Sequence, residues 1–246
     1  MRPKISPSKG QSVLTEKELR KLLQTIDDPL TRAAAAMMAF TGFDHWSLNR
    51  ITFRDGLPEL RITGKGARTK NQVLRIPMVV ATPMLQWAPG SPLYRQGPYG
   101  KGWRWSFLSK EGCDYLLAYL RTRLHAKGRG SLAPSHRLFF PSEPFFYGYF
   151  RGNVVKAAKS VGLGRWSERG CEMRLRRYFT ERMKSVGACK HCIEFMSGTE
   201  ANGPLVPICE HSVEDMRETY TVAASFALTT RRKPKPNVSP LAHTSA

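Results

Sequence analysis

The run Leu30-Thr31-Arg32-Ala33-Ala34-Ala35-Ala36-Met37-Met38-Ala39-Phe40-Thr41-Gly42 sets the reading of the rest of the chain. Alanine, leucine and methionine are strong helix formers, and glycine is the usual residue just past a helix C-terminus. The run therefore predicts a helix from about Leu30 to Phe40, broken by Thr41-Gly42. Upstream, Thr15-Glu16-Lys17-Glu18 has capping-box spacing, and Leu19, Leu22, Leu23 and Ile26 follow at helical period. That first helix is expected to end near Asp27-Asp28-Pro29, and a short third helix is expected from roughly His45 to Ile51.

The chain has 246 residues, which allows one large domain or two small ones at ~100–200 residues each. It holds 39 Lys+Arg against 19 Asp+Glu, a formal charge of +20. Such an excess fits a polyanionic partner better than a free-standing enzyme of small neutral substrates. At 41% hydrophobic residues the chain can still bury a core. No run approaches the ~18 apolar residues of a membrane span, and the N-terminus has no apolar stretch of signal-peptide type. The expectation is a soluble, intracellular protein. Five cysteines, an odd count, argue against a disulfide framework.

From Leu57 to Leu108 the texture changes. Leu60-Arg61-Ile62, Val73-Leu74-Arg75-Ile76 and Met78-Val79-Val80 are short apolar runs between Gly and Pro clusters, and read as strands. Gly64-Lys65-Gly66-Ala67-Arg68-Thr69-Lys70 reads as a basic hairpin turn. A loop from about Pro83 to Gly100 leads into Trp103-Arg104-Trp105-Ser106-Phe107-Leu108. Helical spacing returns with Tyr115, Leu116, Tyr119, Leu120 and Leu124 and stops at Gly128-Arg129-Gly130. Seven aromatics between 139 and 150 read as core and turn packing. Helical patterns follow at 151–161, 171–186 and 212–227.

Residues 1–12 are expected to form a basic flexible arm, 13–228 one domain, and 229–246 a disordered basic tail with Arg231-Arg232-Lys233, three prolines and no acid after Thr230. The fold class is mainly α with a small antiparallel β-sheet.

Helix, helix, a Thr-Gly break, a basic hairpin and an Arg-rich helix in this order resemble the catalytic domain of tyrosine recombinases, the phage-integrase family. Leu14-Thr15-Glu16-Lys17-Glu18-Leu19 looks like the opening helix, Ala39-Phe40-Thr41-Gly42-Phe43 like the Thr-Gly-Leu-Arg segment, and Leu175-Arg176-Arg177-Tyr178-Phe179-Thr180 like the Leu-Arg-His/Arg-x-Phe segment. In detail Phe107 to Leu116, Arg176 to Phe179 and Ser212 to Tyr220 are similar to archaeal and archaeal-virus integrases. The likeness spans about 14–228. It implies double-stranded DNA as partner, copies assembling on it, no cofactor or metal, and a cytoplasmic setting beside the nucleoid of a prokaryotic host. Only about a dozen residues precede the first helix, so the N-terminal helical domain with which complete members clamp DNA is expected to be lacking.

The resemblance also implies a chemistry: a tyrosine hydroxyl cuts one strand through a phosphotyrosine link, arginines neutralise the phosphoryl oxygens, and a lysine protonates the leaving oxygen. Arg176 matches a phosphate-binding arginine, against the plainer reading of a solvated basic face, since 165–190 holds eight Arg/Lys and three Glu. Arg177, Arg174, Arg68 and Lys70 are candidate DNA contacts. The general acid is Lys65 in Gly64-Lys65-Gly66 or Lys101 in Tyr99-Gly100-Lys101-Gly102. The nucleophile is ambiguous: Ile208 or Cys209 stands in the archaeal frame, and Tyr220 is the next tyrosine, either a nucleophile or a core residue.

Two positions depart from the pattern. Asp44 stands where the first arginine should follow Thr41-Gly42-Phe43, and Thr199 where a histidine belongs. A carboxylate at the first site turns attraction for phosphate into repulsion, about 4 kcal/mol at ~4 Å and an effective dielectric of ~20. Arg50 or Arg54 would have to swing in to replace the arginine. Residues of another class give an alternative: Cys189-x-x-Cys192 with Cys209 and His211 would suit a zinc staple in a non-enzymatic DNA-binding or regulatory module.

Overall fold

The computed structural model describes residues 13–53, 56–63, 66–69, 77–83, 103–126, 135–139, 143–163, 166, 170–198, 212–226 and 228–230. The elements in chain order are α1 (Glu16–Thr25), α2 (Pro29–Thr41), α3 (His45–Arg50), β1 (Leu60–Thr63), β2 (Gly66–Thr69), β3 (Met78–Pro83), β4 (Trp103–Leu108), α4 (Lys110–Ala126), α5 (Glu143–Ser160), α6 (Cys171–Ser185), α7 (Lys190–Ser197) and α8 (Val213–Phe226). The predominantly helical class with antiparallel β-structure is as expected from the sequence. Among the described residues the strands form two separate two-stranded sheets, β1-β2 and β3-β4.

Local chemistry explains the helix ends. Thr15 caps α1 with both halves of the capping box in place. Asp28 caps α2 through the Thr31 N–H, with Pro29 in the first turn, where its missing N–H costs nothing. Ser212 and Asp215 exchange backbone-to-side-chain bonds at the start of α8. Helix α2 is buried on every side: Ala33 to Thr41 are all inaccessible, and the helix meets α1, α3, α4, α5, α6 and β4. Its alanines let those neighbours come close, which is why an apolar run without a polar face sits at the centre.

Several boundaries differ from the sequence reading. Thr63 pairs with Gly66, so only Gly64 and Lys65 lie between the paired strands, a shorter connection than the seven-residue turn expected. The strand expected over Val73 to Ile76 lies outside the described residues, as do the arms at 1–12 and 231–246. Helix α5 starts at Glu143, inside the aromatic run read as core and turn packing, and α7 was not anticipated. The folded body reaches Thr230, beyond the expected start of the tail at 229. The Glu111 carboxylate accepts from Thr229 Oγ1 at 2.9 Å, from the Thr230 N–H at 2.9 Å and from Thr230 Oγ1, and Arg20 Nε donates to the Thr230 carbonyl. A carboxylate only 5% exposed holds this segment down.

Gly42 ends α2 with φ +76°, and a Cβ there would lie 2.4 Å from Phe179 Cδ1 and 2.9 Å from Ser197 Cβ. Gly42→Ala combines left-handed strain with overpacking and should cost about 2–5 kcal/mol. Urea unfolding would register this as a lower midpoint at unchanged slope; a loss below about 1 kcal/mol would mean that the junction relaxes freely.

Candidate nucleic-acid interface

The buried end of α2 organises the site. A helix leaves its last carbonyls without intrahelical partners, and here they are sealed from water. The Phe40 carbonyl accepts from the Tyr220 hydroxyl at 2.9 Å, the Thr41 carbonyl from Ser106 Oγ at 2.8 Å, and the Gly42 carbonyl from Arg176 Nε at 3.0 Å. Helix α8, strand β4 and helix α6 each supply one donor.

Arg176 does more than cap α2. Its Nη2 donates to the Ser197 carbonyl at 2.8 Å, at the C-terminal end of α7. One guanidinium thus lies between the negative ends of two helix dipoles. The two bonds use two of its five N–H donors, and among the described residues the other three make no bond. Burial pulls the Arg176 pKa below its ordinary value, and Asp44 and Glu172 oppose the shift. The group remains a cation.

Asp44 and Arg104 stand beside it. Asp44 caps α3, accepting from the Ser47 N–H at 2.8 Å and from the Ser47 hydroxyl at 2.5 Å. Arg104 reaches in from β4. Its Nη2 lies 3.8 Å from Asp44 Oδ1 and donates to Ser47 Oγ, and its guanidinium stacks 5.2 Å from the centre of the Phe43 ring. A Cβ on Gly198 would sit 1.1 Å from Arg104 Nη1, so the glycine that ends α7 at φ +63° is also required by this close approach. Burial pushes the Asp44 carboxyl up, but Arg104, the Ser47 bonds and Arg176 outweigh it and hold the group below its ordinary value. The repulsive carboxylate expected at this position is therefore answered by Arg104; Arg54 lies outside the described residues. Behind these groups Glu172, 6% exposed, sits 2.7 Å from His45 Nδ1 and accepts from Arg151 Nε at 3.0 Å, tying α3, α5 and α6 together.

A groove of about 510 Å³ opens beside Arg176 between α6 and α7. Arg177, Lys184 and Lys190 add cationic walls, and Glu181 and Glu194 lie along it. Lys184 pairs with Glu181 at 2.8 Å and the exposed Lys190 with the half-buried Glu194 at 3.7 Å; with at least one partner in solvent, such pairs stabilise little.

Not all the predicted site residues come together here. Arg176 and Arg177 line the groove. Arg174 lies on another side of α6, its guanidinium 5.3 Å from the centre of the Trp166 ring and one Nη donating to the Leu163 carbonyl at 3.5 Å. Arg68 lies in β2 opposite Arg61. Lys65, Lys70, Lys101, Thr199, Ile208, Cys209 and His211 lie outside the described residues. Tyr220, for which the sequence left nucleophile and core both open, lies in the core. It is fully buried, its hydroxyl donates to the Phe40 carbonyl and accepts from the Ser109 N–H at 3.2 Å, and burial pushes its pKa far up. A neutral, enclosed phenol with both hydrogen-bonding roles filled is a core residue. Cys189 precedes α7 and Cys192 is buried within it. Among the described residues no group of three metal-ligating side chains is gathered.

Arg104, Asp44, His45 and Glu172 were not recognised as one cluster from the sequence. The signal was partly present: Arg104 alternates with Trp105 in a strand that ends two residues past a buried Ser106, so it shares a face with a residue that reaches the α2 terminus.

The fold is similar to that of a tyrosine-recombinase catalytic domain. The chain is similar to the crystal structure of XerA recombinase, with a TM-score of 0.50 and 16% identity, over 88% of this chain and 66% of that one. It thus spans just under two thirds of that recombinase's length. No family model and no curated protein matches the sequence. Among the described residues no helix is long and apolar enough to cross a membrane.

Tyr220→Phe removes the donor to the Phe40 carbonyl and should destabilise the fold by about 1–3 kcal/mol. Thermal unfolding would show the loss while duplex affinity stays at the wild-type value; a variant with full stability and lost DNA function would return Tyr220 to the active site.

Proposed function

We propose that this chain is a tyrosine-recombinase-like protein that holds double-stranded DNA, with Arg176 as a phosphate contact. The observation that carries the reading is the Arg176 guanidinium, fixed by the Gly42 and Ser197 carbonyls with three donors left over beside a cationic groove. Orientation without loss of charge is what a phosphate site needs, because the cost of ordering the side chain is met on folding. The fold shared with a recombinase and the +20 charge support the same reading.

Around this contact the basic segments have assignable roles. Arg177 sits exposed on the groove, and the hairpin with Lys65, Arg68 and Lys70, together with Lys101, supplies further phosphate contacts. Arg174 serves mainly to pack against Trp166. Copies of the chain assemble along the duplex, in the cytoplasm of a prokaryotic host. The likeness of three segments to archaeal and archaeal-virus integrases points to a mobile element as its setting. The reading favours holding over cutting, because Asp44 replaces the first arginine of the pattern and Tyr220 is enclosed.

Fluorescence anisotropy with a labelled duplex tests the binding. A chain meeting 6–10 phosphates should lose about 10³–10⁵ in affinity between 50 and 200 mM salt, and Arg177→Gln should reduce the slope of log K against log salt by about 0.9. Salt-insensitive binding, or none, would refute the reading. Incubation with a phosphorothiolate-containing half-site should give no covalent adduct on a denaturing gel; an adduct would show that the chain cuts DNA as well as holding it.

A further inference from the structure

We infer that Arg104 is a second anion-binding guanidinium of the Arg176 site, supplied from strand β4, and that Asp44 is the resident counter-ion it gives up when a DNA phosphate arrives. This rests on the DNA-holding reading above and goes beyond it by naming the partner arginine and the internal carboxylate that competes with the ligand.

The placement of the two guanidinium groups supports this. Two short segments, 42–44 and 197–198, hold both. Gly42 and Ser197 bind Arg176 through their carbonyls, while Phe43, Asp44 and Gly198 flank Arg104. Asp44 interacts with both cations, so each lies within electrostatic reach of the same carboxylate. Among the described residues, Arg104, Arg176 and Asp44 sum to one positive charge. Glu172 does not remove it, because Arg151 and His45 engage both its oxygens.

The quality of the Arg104 contacts distinguishes it from Arg176. Arg176 is bound to two backbone carbonyls, those of Gly42 and Ser197. Arg104 faces Asp44 at 3.8 Å, too long for a hydrogen bond, and Asp44 Oδ1 is already taken by the Ser47 N–H and hydroxyl. Asp44 therefore attracts Arg104 by charge without forming a bidentate pair. A phosphodiester offers two non-bridging oxygens and a full charge, and suits the planar fork of guanidinium better. The Phe43 ring lies against the Arg104 guanidinium itself, 5.2 Å from its centre, and leaves the edge of the planar fork to meet an anion.

The whole chain and a labelled duplex test this. Affinity is measured from 50 to 200 mM salt for wild type, Arg104→Gln, Asp44→Asn and the double variant, with thermal unfolding of each. Arg104→Gln should weaken binding by about tenfold and lower the salt slope by about 0.9, the mark of one lost phosphate contact. Asn caps a helix as well as Asp does, so Asp44→Asn should keep the α3 terminus intact and tighten binding by about five- to tenfold. That gain should largely disappear in the double variant.

An unchanged salt slope for folded Arg104→Gln overturns the assignment. If Arg104→Gln does not fold, Asp44→Asn decides alone, and unchanged or weaker binding overturns it. A wild-type chain that binds no duplex ends the DNA-holding reading and this inference with it. Wild-type binding with neither variant effect ends only the role given to Arg104 and Asp44.

Discussion

Three consecutive carbonyls at the end of α2, those of Phe40, Thr41 and Gly42, are bonded by side chains from α8, β4 and α6. The constraint is elementary. A helix buried on all sides must end somewhere inside the protein, and its last carbonyls cannot turn to water there. Each unsatisfied one would cost about 1–3 kcal/mol. The chain answers with donors from three distant parts of the sequence, so that α8, β4 and α6 are fixed around one point. Ser106, Arg176 and Tyr220 are separated by 70 and 44 positions along the chain, yet within the fold they serve adjacent residues.

The candidate site is a by-product of this arrangement. Once Gly42 has turned the chain at positive φ, Phe43 and Asp44 follow directly, and Asp44 caps the next helix. The end of α7 comes against the same turn because Arg176 bridges Gly42 and Ser197. Two guanidinium groups and a carboxylate are thereby packed between two glycine-terminated helix ends. Buried ionic groups of this kind are weak evidence for stability, since desolvation offsets most of their attraction. Their geometry is more informative than their energy: an arginine whose bonds go to backbone carbonyls keeps its charge uncancelled and available.

Much of the fold was legible in the sequence. The capping box at Thr15 to Glu18, the alanine-rich helix and its Thr-Gly stop are local features, and each is found where its chemistry puts it. Arg176, selected by its motif frame, lies on α6 beside the groove. What could not be read were relations between distant segments. No local rule places Arg104 against Asp44, 60 positions earlier, or the Thr229-Thr230 segment on Glu111. Helix α7 is short, and its Cys-Lys-His-Cys start offered a candidate zinc site as well as a helix. Tyr220 shows the same limit: its position in the sequence left nucleophile and core both open, and only the enclosing contacts with Phe40 and Ser109 distinguish them.

Asp44 shows why charge at one position is a poor guide to function. Read along the chain, it places a negative group where an arginine would be expected and argues that phosphate is repelled. In three dimensions the same residue lies between Arg104 and Arg176, and their fields hold its carboxyl below the ordinary range. The turn nonetheless has an arginine beside it, because strand β4 delivers Arg104 to Asp44. Ser106, two residues further along that strand, reaches the Thr41 carbonyl. The contact that completes the α2 end therefore also sets the register that brings Arg104 to Asp44. A site assembled this way keeps its positive balance while its members sit in unfamiliar positions, and the sum over neighbours, rather than the residue at any one place, decides whether an anion is welcome.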